Sequence, residues 1–183
     1  TADTLAALRL AKERGIYTFG IVNVVGSAIA READSVMYTY AGPEISVAST
    51  KAYSVQLASI YLIAIKLASV KGRISSAEEK RLSDILLSDV PQKVQKAIAL
   101  APECKEAALN NIKAHSIFYI GRGIDHAQSC EAALKAKEIS YIHCEAYAAG
   151  ELKHGTISLI EEGSPVVAII TNKSTVDKMV SNI

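Results

Sequence analysis

Three charged residues in one segment are spaced so that they can do proton chemistry together. Glu131, Lys135 and Glu138 are separated by four and then three positions, which places them on one face of a helix. A lysine between two carboxylates can hold an anionic intermediate, and a partly buried carboxylate can act as a base. The same spacing also fits a solvated face with an ordinary Glu–Lys ion pair. Lys137 lies off this face, and we expect it to be solvated.

A segment dense in polar groups, residues 139–155, follows and fits neither a clean helix nor a strand. Loops with many polar groups often carry functional residues. His154 is a candidate acid–base residue in this segment, although a single histidine is more often structural. The adjacent His143, Cys144 and Glu145 are potential metal ligands by type, but neighbours in sequence rarely all reach one ion. We therefore predict no metal site.

Two loops have features of anion-binding or polyol-binding sites. Gly121-Arg122-Gly123 follows an apolar run and precedes a helical one, so free amides at the helix start would favour an anion. The third glycine of a dinucleotide fingerprint is missing, and an ordinary strand-to-helix turn fits equally well. Residues 42–48 form a second loop, and Ser49 follows it at the start of a long helix. The Ser49 hydroxyl could meet a ligand or cap the helix.

The elements that must position these residues alternate between helix and strand. Apolar spacing and turn residues predict helices at residues 2–14, 27–32, 50–70 and 125–140, and strands at residues 17–23, 35–39, 116–120 and 165–171. Residues 75–111 carry no strand pattern and predict two or three helices, which would connect two α/β units. In the second unit, the last two strands and the helix between them would form a right-handed βαβ unit.

The composition argues against several classes of protein. The chain has 183 residues, of which half are hydrophobic, and its 20 basic and 19 acidic residues give a net charge of +1. This balance gives no general affinity for nucleic acid or for a membrane. Three cysteines at unrelated spacing fit neither a disulfide framework nor a zinc site. They are typical of reduced thiols in a cytoplasmic protein.

The two ends of the chain do not look like natural termini. The first residues are polar and lack the charged and apolar regions of a secretory signal. The most apolar run, residues 60–65, is broken by Lys66 and is shorter than a membrane span. The chain starts without Met and stops in a helix-like stretch, residues 175–183. We therefore expect cuts at both ends of a piece of a longer chain.

Several of these segments resemble one enzyme family, the isomerising glutamine:fructose-6-phosphate aminotransferases. Residues 131–143 are similar to the family's catalytic helix, and residues 145–155 continue the match. Residues 42–52 match a second family signature, and residues 1–5 resemble the end of its Ser-x-Ser-Gly-Glu-Thr phosphate loop. The resemblance covers essentially the whole chain, and it is most specific between Glu131 and Gly155.

The resemblance implies an α/β fold of two sugar-isomerase (SIS) subdomains, each a parallel sheet flanked by helices and each incomplete here. Residues 1–73 would be the later part of the first subdomain, residues 74–113 a helical connector, and residues 114–183 the earlier part of the second. The implied reaction converts fructose 6-phosphate and ammonia from a glutaminase domain into glucosamine 6-phosphate. It needs no metal or organic cofactor, because an imine at C2 of the sugar acidifies the C1 protons.

The resemblance also implies roles for the charged residues. Glu138 would be the base that moves a proton from C1 to C2, Lys135 would assist the transfers, and Glu131 would orient the helix face. His154 matches the family's ring-opening histidine, which reaches the sugar from the neighbouring subunit. A homodimer is therefore expected.

On the substrate side, the resemblance implies that Thr1 contacts the phosphate and that the Val47 main chain and Ser49 contact the sugar. Residues 1–183 do not include three parts of the family's sequence: the phosphate-loop serines before Thr1, the glutaminase domain and a C-terminal Schiff-base lysine. Thr156 stands where some members have proline. The alternatives are a non-catalytic SIS module that binds a sugar phosphate, and a purely structural dimerisation piece. A binding module would not need Glu131, Lys135, Glu138 and His154 together.

Overall fold

The computed structural model describes residues 2–183, so the phosphate contact predicted at Thr1 lies outside the described part of the chain. The chain divides into two compact units, the first ending at Ala99 and the second beginning at Leu100. Each unit contains a small parallel sheet flanked by helices, which confirms the predicted α/β class. The finer division at residues 73 and 113 stays a prediction.

The first unit is built on two parallel strands. Its elements are α1 (Ala2–Glu13), β1 (Phe19–Val22), α2 (Ala28–Glu32), β2 (Ser35–Tyr38), α3 (Thr50–Val70), α4 (Ser76–Asp84) and α5 (Val90–Ile98), with a π-helical turn at Ile85–Asp89. Strand β1 pairs with β2 from Phe19 opposite Ser35 to Val22 opposite Tyr38. An ion pair between Arg9 and Glu32, 2.6 Å long, ties α1 to α2.

The second unit contains a three-stranded parallel sheet in the order β4-β3-β5. Its elements are α6 (Ala101–Asn110), β3 (Ser116–Gly121), α7 (Ile124–Ser140), β4 (His143–Ala148), β5 (Val166–Ala168) and α8 (Val176–Val180), with 3₁₀ turns at Glu151–Lys153, Thr156–Leu159 and Lys173–Thr175. The apolar core groups Ile120, Ala149, Leu152 and Met179. Helix α7 packs on β3 and β4.

Strand β4 corrects the sequence analysis, which described residues 139–155 as neither helix nor strand. Residues 143–148 pair in register with β3 along its whole length. The βαβ unit is therefore β3–α7–β4, whereas the predicted strand at residues 165–171 is the shorter β5, which pairs on the other side of β3. Tertiary pairing overrides the weak β-propensity of the alanines and charged residues here. The helical stretch predicted at residues 175–183 ends at Val180.

Helix α3 is longer than the apolar run that the sequence analysis judged too short to span a membrane. It has 21 residues and a mean hydropathy of 1.5, and only 6% of its apolar window is buried. Among the described residues it is the one helix that could cross a membrane by length and composition. The length of α3 therefore does not exclude a membrane span. Length and composition are weak evidence for one, because core helices of soluble proteins meet the same two criteria.

Candidate active site

The predicted charged residues meet on one face of α7. The Lys135 Nζ lies 2.8 Å from the Glu138 Oε2 and 3.6 Å from the Glu131 Oε1. The three side chains, which we call the charged cluster, are each between 20% and 26% exposed. The hydrogen bond to Glu138, with the charges of both glutamates, raises the pKa of Lys135 above its ordinary value. The cluster therefore holds an ammonium ion between two carboxylates.

The charged cluster lies on the side of α7 that faces away from the sheet of its own unit. The buried residues of α7 are Asp125, Ser129 and Ala133, which lie on the opposite side of the helix at about 100° per residue. Because α7 packs on β3 and β4 through that buried side, the cluster projects outward. A ligand or another protein surface could therefore approach it without unpacking the unit.

Two residues fix the first turn of α7 in place: Gly121 of the glycine turn noted in the sequence, and Asp125, which no sequence pattern had indicated. A Cβ atom added at Gly121 would lie 2.3 Å from the Asp125 carbonyl oxygen, so only glycine allows this approach between β3 and α7. The Asp125 carboxylate accepts hydrogen bonds from the Thr171 N–H at 2.9 Å, from the Thr171 hydroxyl and from the Asn172 N–H at 3.3 Å. These bonds hold the pKa of Asp125 below its ordinary value.

The third candidate acid–base residue, His154, lies in a turn after β4. The turn is held to the sheet because the Ala149 N–H donates to the Gly121 carbonyl at 2.9 Å and Leu152 is buried in the core. The His154 side chain is exposed. Within residues 2–183 no hydrogen bond or ion pair joins His154 to the charged cluster. The structure thus brings together three of the four predicted catalytic residues.

The predicted sugar-contacting loop in the first unit is held by one asparagine. The Asn23 Oδ1 accepts from the Thr39 hydroxyl at 3.1 Å and from the Ala41 N–H at 2.8 Å, and the Asn23 Nδ2 donates to the Gly42 carbonyl at 2.7 Å. Asn23 follows β1, whereas the three partners follow β2. The side chain therefore clamps the carboxyl ends of the two strands, from which the loop to α3 departs.

Ser49 begins α3 in an unusual backbone conformation. Its φ of 51° lies in the left-handed region, which is sparsely populated by residues other than glycine and is enriched at functional sites. Its hydroxyl makes no capping hydrogen bond to the helix and lies 3.4 Å from the Ser46 carbonyl oxygen. Capping, the structural alternative for this hydroxyl, is therefore not seen. Val47 is 84% exposed in the same loop.

Metal ligands do not converge in the part of the chain that the structure describes. Within residues 2–183 no group of three or more His, Cys, Asp or Glu side chains is placed to hold an ion. The three cysteines are free thiols, with Cys104 and Cys130 exposed and Cys144 buried. Burial raises the pKa of Cys144 above its ordinary value.

The parallel sheets and their helices define a class of sugar-isomerase domain. The sequence profile of the SIS domain family matches residues 1–66 and 112–182, and the chain belongs to this family. The chain is 51% identical over 183 residues to the isomerising glutamine–fructose-6-phosphate aminotransferase of Clostridium tetani, and 52% identical to that of Symbiobacterium thermophilum. Each alignment covers 100% of this chain and 30% of the relative, so the chain spans under a third of their length.

Solved structures share the fold. The C-terminal domain of glucosamine-fructose-6-phosphate aminotransferase from Francisella tularensis superposes with a TM-score of 0.93 at 37% identity, covering 100% of this chain and 51% of that one. A putative phosphosugar isomerase from Clostridium difficile gives a TM-score of 0.81 at 26% identity, covering 97% of this chain and 51% of that one. The arrangement of helices and sheets is therefore that of a SIS protein.

Proposed function

We propose that this chain is part of the isomerase region of an isomerising glutamine–fructose-6-phosphate aminotransferase. In this reaction, fructose 6-phosphate and ammonia released from glutamine give glucosamine 6-phosphate. The observation that carries the proposal is the outward-facing charged cluster of α7, with Lys135 2.8 Å from Glu138. The sequence of the chain is also about half identical, along its whole length, to proteins that are named aminotransferases, which supports the proposal.

The chemistry assigned to the cluster is a proton transfer between neighbouring carbons. Ammonia adds to the C2 ketone of the open sugar and water leaves, which gives an imine at C2. Glu138 takes a proton from C1, the C1–H electron pair forms a C1–C2 double bond, and the pair of the C2–N double bond moves to the nitrogen, which is protonated. The resulting enaminol loses the proton of its C1 hydroxyl while C2 takes a proton, which gives an aldehyde at C1 and an amine at C2. We assign the Lys135 ammonium to stabilise the negative charge that develops on the sugar, and the Glu131 carboxylate, 3.6 Å from it, supports this assignment by orienting the ammonium.

Ring opening of the bound sugar is assigned to His154. An imidazole has one ring nitrogen that can donate a proton and one that can accept a proton, so it can exchange protons with the ring oxygen and the C2 hydroxyl. The exposed position of His154 supports a role toward a sugar bound elsewhere than on its own turn. We assign this sugar to the neighbouring subunit of a homodimer.

The first unit is assigned the contacts to fructose 6-phosphate. The Val47 main chain and the Ser49 hydroxyl would bind the sugar, and Thr1 would bind its phosphate. The left-handed conformation of Ser49 and its hydroxyl without a capping role support this assignment. The parent protein would supply ammonia from a glutaminase domain, and we place it in the cytoplasm.

Product analysis tests the proposal against the non-catalytic alternative. The full-length protein is mixed with fructose 6-phosphate and glutamine, and glucosamine 6-phosphate and glutamate are followed by NMR. Equal accumulation of both products is the expected result. Saturable binding of fructose 6-phosphate without any amino sugar would overturn the enzyme assignment and support a sugar-phosphate-binding module.

A further inference from the structure

A cysteine and a histidine one turn apart on α7 lie in contact outside the charged cluster. The Cys130 Sγ lies 3.8 Å from the His126 Nε2, a distance at which a sulfur and an imidazole share a hydrogen bond. Residues four apart on a helix are neighbours on its surface, so the helix itself sets this contact. Since an α-helix turns about 100° per residue, Cys130 lies roughly 100° around α7 from Glu131. The pair is therefore separate from the charged cluster.

One ring nitrogen of His126 is buried, and the other contacts the sulfur. The His126 Nδ1 is shielded from solvent and has no hydrogen-bond partner among the described residues. The Nε2 is thus the ring nitrogen with a polar neighbour, and that neighbour is the Cys130 thiol. A thiol with a base in hydrogen-bonding reach is the arrangement that activates cysteine nucleophiles. His126 is therefore placed to accept the proton of Cys130.

Small molecules can reach the Cys130 thiol. Its side chain is exposed and lines an open pocket of about 320 Å³ on the side of α7 next to β4. The pocket is otherwise lined by Ala133, Lys137, Glu145, Ala146 and Tyr147. A cysteine must be accessible to attack a disulfide, and its rate also depends on the groups around the sulfur. Cys130 meets the first condition, and the contact with His126 meets the second.

We propose that Cys130 is a site of reversible thiolation by low-molecular-weight disulfides, with His126 as its base. The His126 Nε2 takes the thiol proton, and the Cys130 Sγ attacks one sulfur of the small disulfide. The new S–S bond forms as the disulfide's own S–S bond breaks, and the leaving thiolate takes the proton from the imidazolium. The Cys130 sulfur is oxidised and the departing sulfur is reduced. A free thiol reverses the step, which involves neither the charged cluster nor a sugar.

Labelling of the full-length protein with glutathione disulfide at neutral pH tests the proposal. After digestion with trypsin, Cys130 falls in residues 123–135 and Cys104 in residues 97–105, so mass spectrometry follows each thiol separately. Cys104 is the internal control, because it is also exposed on a helix but has no hydrogen bond to a histidine within residues 2–183. Cys130 should be modified roughly tenfold faster than Cys104 or more, because a base in contact assists proton removal.

A substitution of the base separates the effect of His126 from that of exposure. His126→Gln keeps a polar side chain but cannot take the proton, so modification of Cys130 should fall to the rate of Cys104. His115→Gln is the matched control, since this histidine is exposed and lies outside α7, and both rates should be unchanged. Cys144 is buried, so its protection from labelling shows that each variant is folded. Equal rates at Cys130 and Cys104 in the unmodified protein, or an unchanged Cys130 rate in folded His126→Gln, would overturn the proposal.

Discussion

Lys135 is the residue on which the charged cluster depends, because it is the cation that two carboxylates share. Its Nζ lies within 3.6 Å of an oxygen of each glutamate. The spacing of Glu131, Lys135 and Glu138 predicted this meeting correctly, since residues three and four apart on a helix are always neighbours. The sequence could not separate a site from a solvated ion pair. The outward position and partial burial of the cluster are what favour a site.

Replacing Lys135 with glutamine should abolish sugar conversion without stopping glutamine hydrolysis. The variant leaves no positive charge where the sugar becomes negative, and we expect a loss of about 100-fold or more in amino-sugar formation. The two activities are measured as glucosamine 6-phosphate and glutamate from the same reaction of the full-length protein. Lys137→Gln is the matched control, because this exposed lysine lies off the cluster and should keep both activities. Equal rates in the two variants would contradict the role of Lys135.

At the scale of elements, α7 was predictable from sequence and β4 was not. The helix was predicted at residues 125–140 and is found at Ile124–Ser140, because a glycine turn precedes it and its composition favours a helix. Strand β4 carries charged residues and alanines, and only its pairing with β3 makes it a strand. The bond between Asp125 and Thr171 joins residues 46 apart in the chain, a separation at which no local pattern can operate.

Asp125→Asn should loosen α7 from the loop after β5 and destabilise the second unit. Asn can keep one acceptor, but its amide group would face the N–H donors, and an unsatisfied buried group costs about 1–3 kcal/mol. The folded pKa of Asp125 is lowered from its ordinary 3.8, so its stabilisation is present above that value and is lost as the pH falls through the folded pKa.

Urea unfolding at a series of pH values checks this prediction. The unmodified protein should lose stability progressively below a pH of about 3.8, and Asp125→Asn should show less of this loss because its side chain cannot be protonated there. Thr171→Val removes one hydroxyl and keeps the N–H donors, so it should cost less than Asp125→Asn. Identical midpoints at neutral pH for Asp125→Asn and the unmodified protein would show that the anchor contributes nothing.

At the scale of the whole molecule, the proposed sugar contacts and the charged cluster belong to different units. The proposed sugar contacts Val47 and Ser49 lie in the first unit, and the charged cluster lies in the second. Resemblance to family motifs could assign these residues to one reaction, because the motifs come from the longer proteins of the family. Residue spacing and periodicity could not assign these residues to one reaction, because such patterns relate only residues that are close together in the sequence. The chain also spans only 30% of the length of the Clostridium tetani relative.

Calorimetric titration of this chain with fructose 6-phosphate measures how much of the sugar site these residues hold. We expect a saturable heat with a Kd of about 1 mM or tighter, which corresponds to roughly 4 kcal/mol. Ser49→Ala should weaken binding by roughly fivefold or more, since one hydrogen bond contributes about 1 kcal/mol. Ser54→Ala, one turn further along α3, should bind as the unmodified chain does. No saturable heat from a folded chain would contradict the assignment of the sugar contacts.

The central claim is that Glu138 is the base in an aminotransferase, and one substitution tests it directly. Glu138→Gln is made in the full-length protein, and amino-sugar formation and glutamine hydrolysis are followed together with fructose 6-phosphate present. The account predicts that glucosamine 6-phosphate is no longer formed while glutamate is still released, because the amide cannot accept the C1 proton and the site of hydrolysis lies elsewhere. Continued formation of the amino sugar at the unmodified rate would contradict the account.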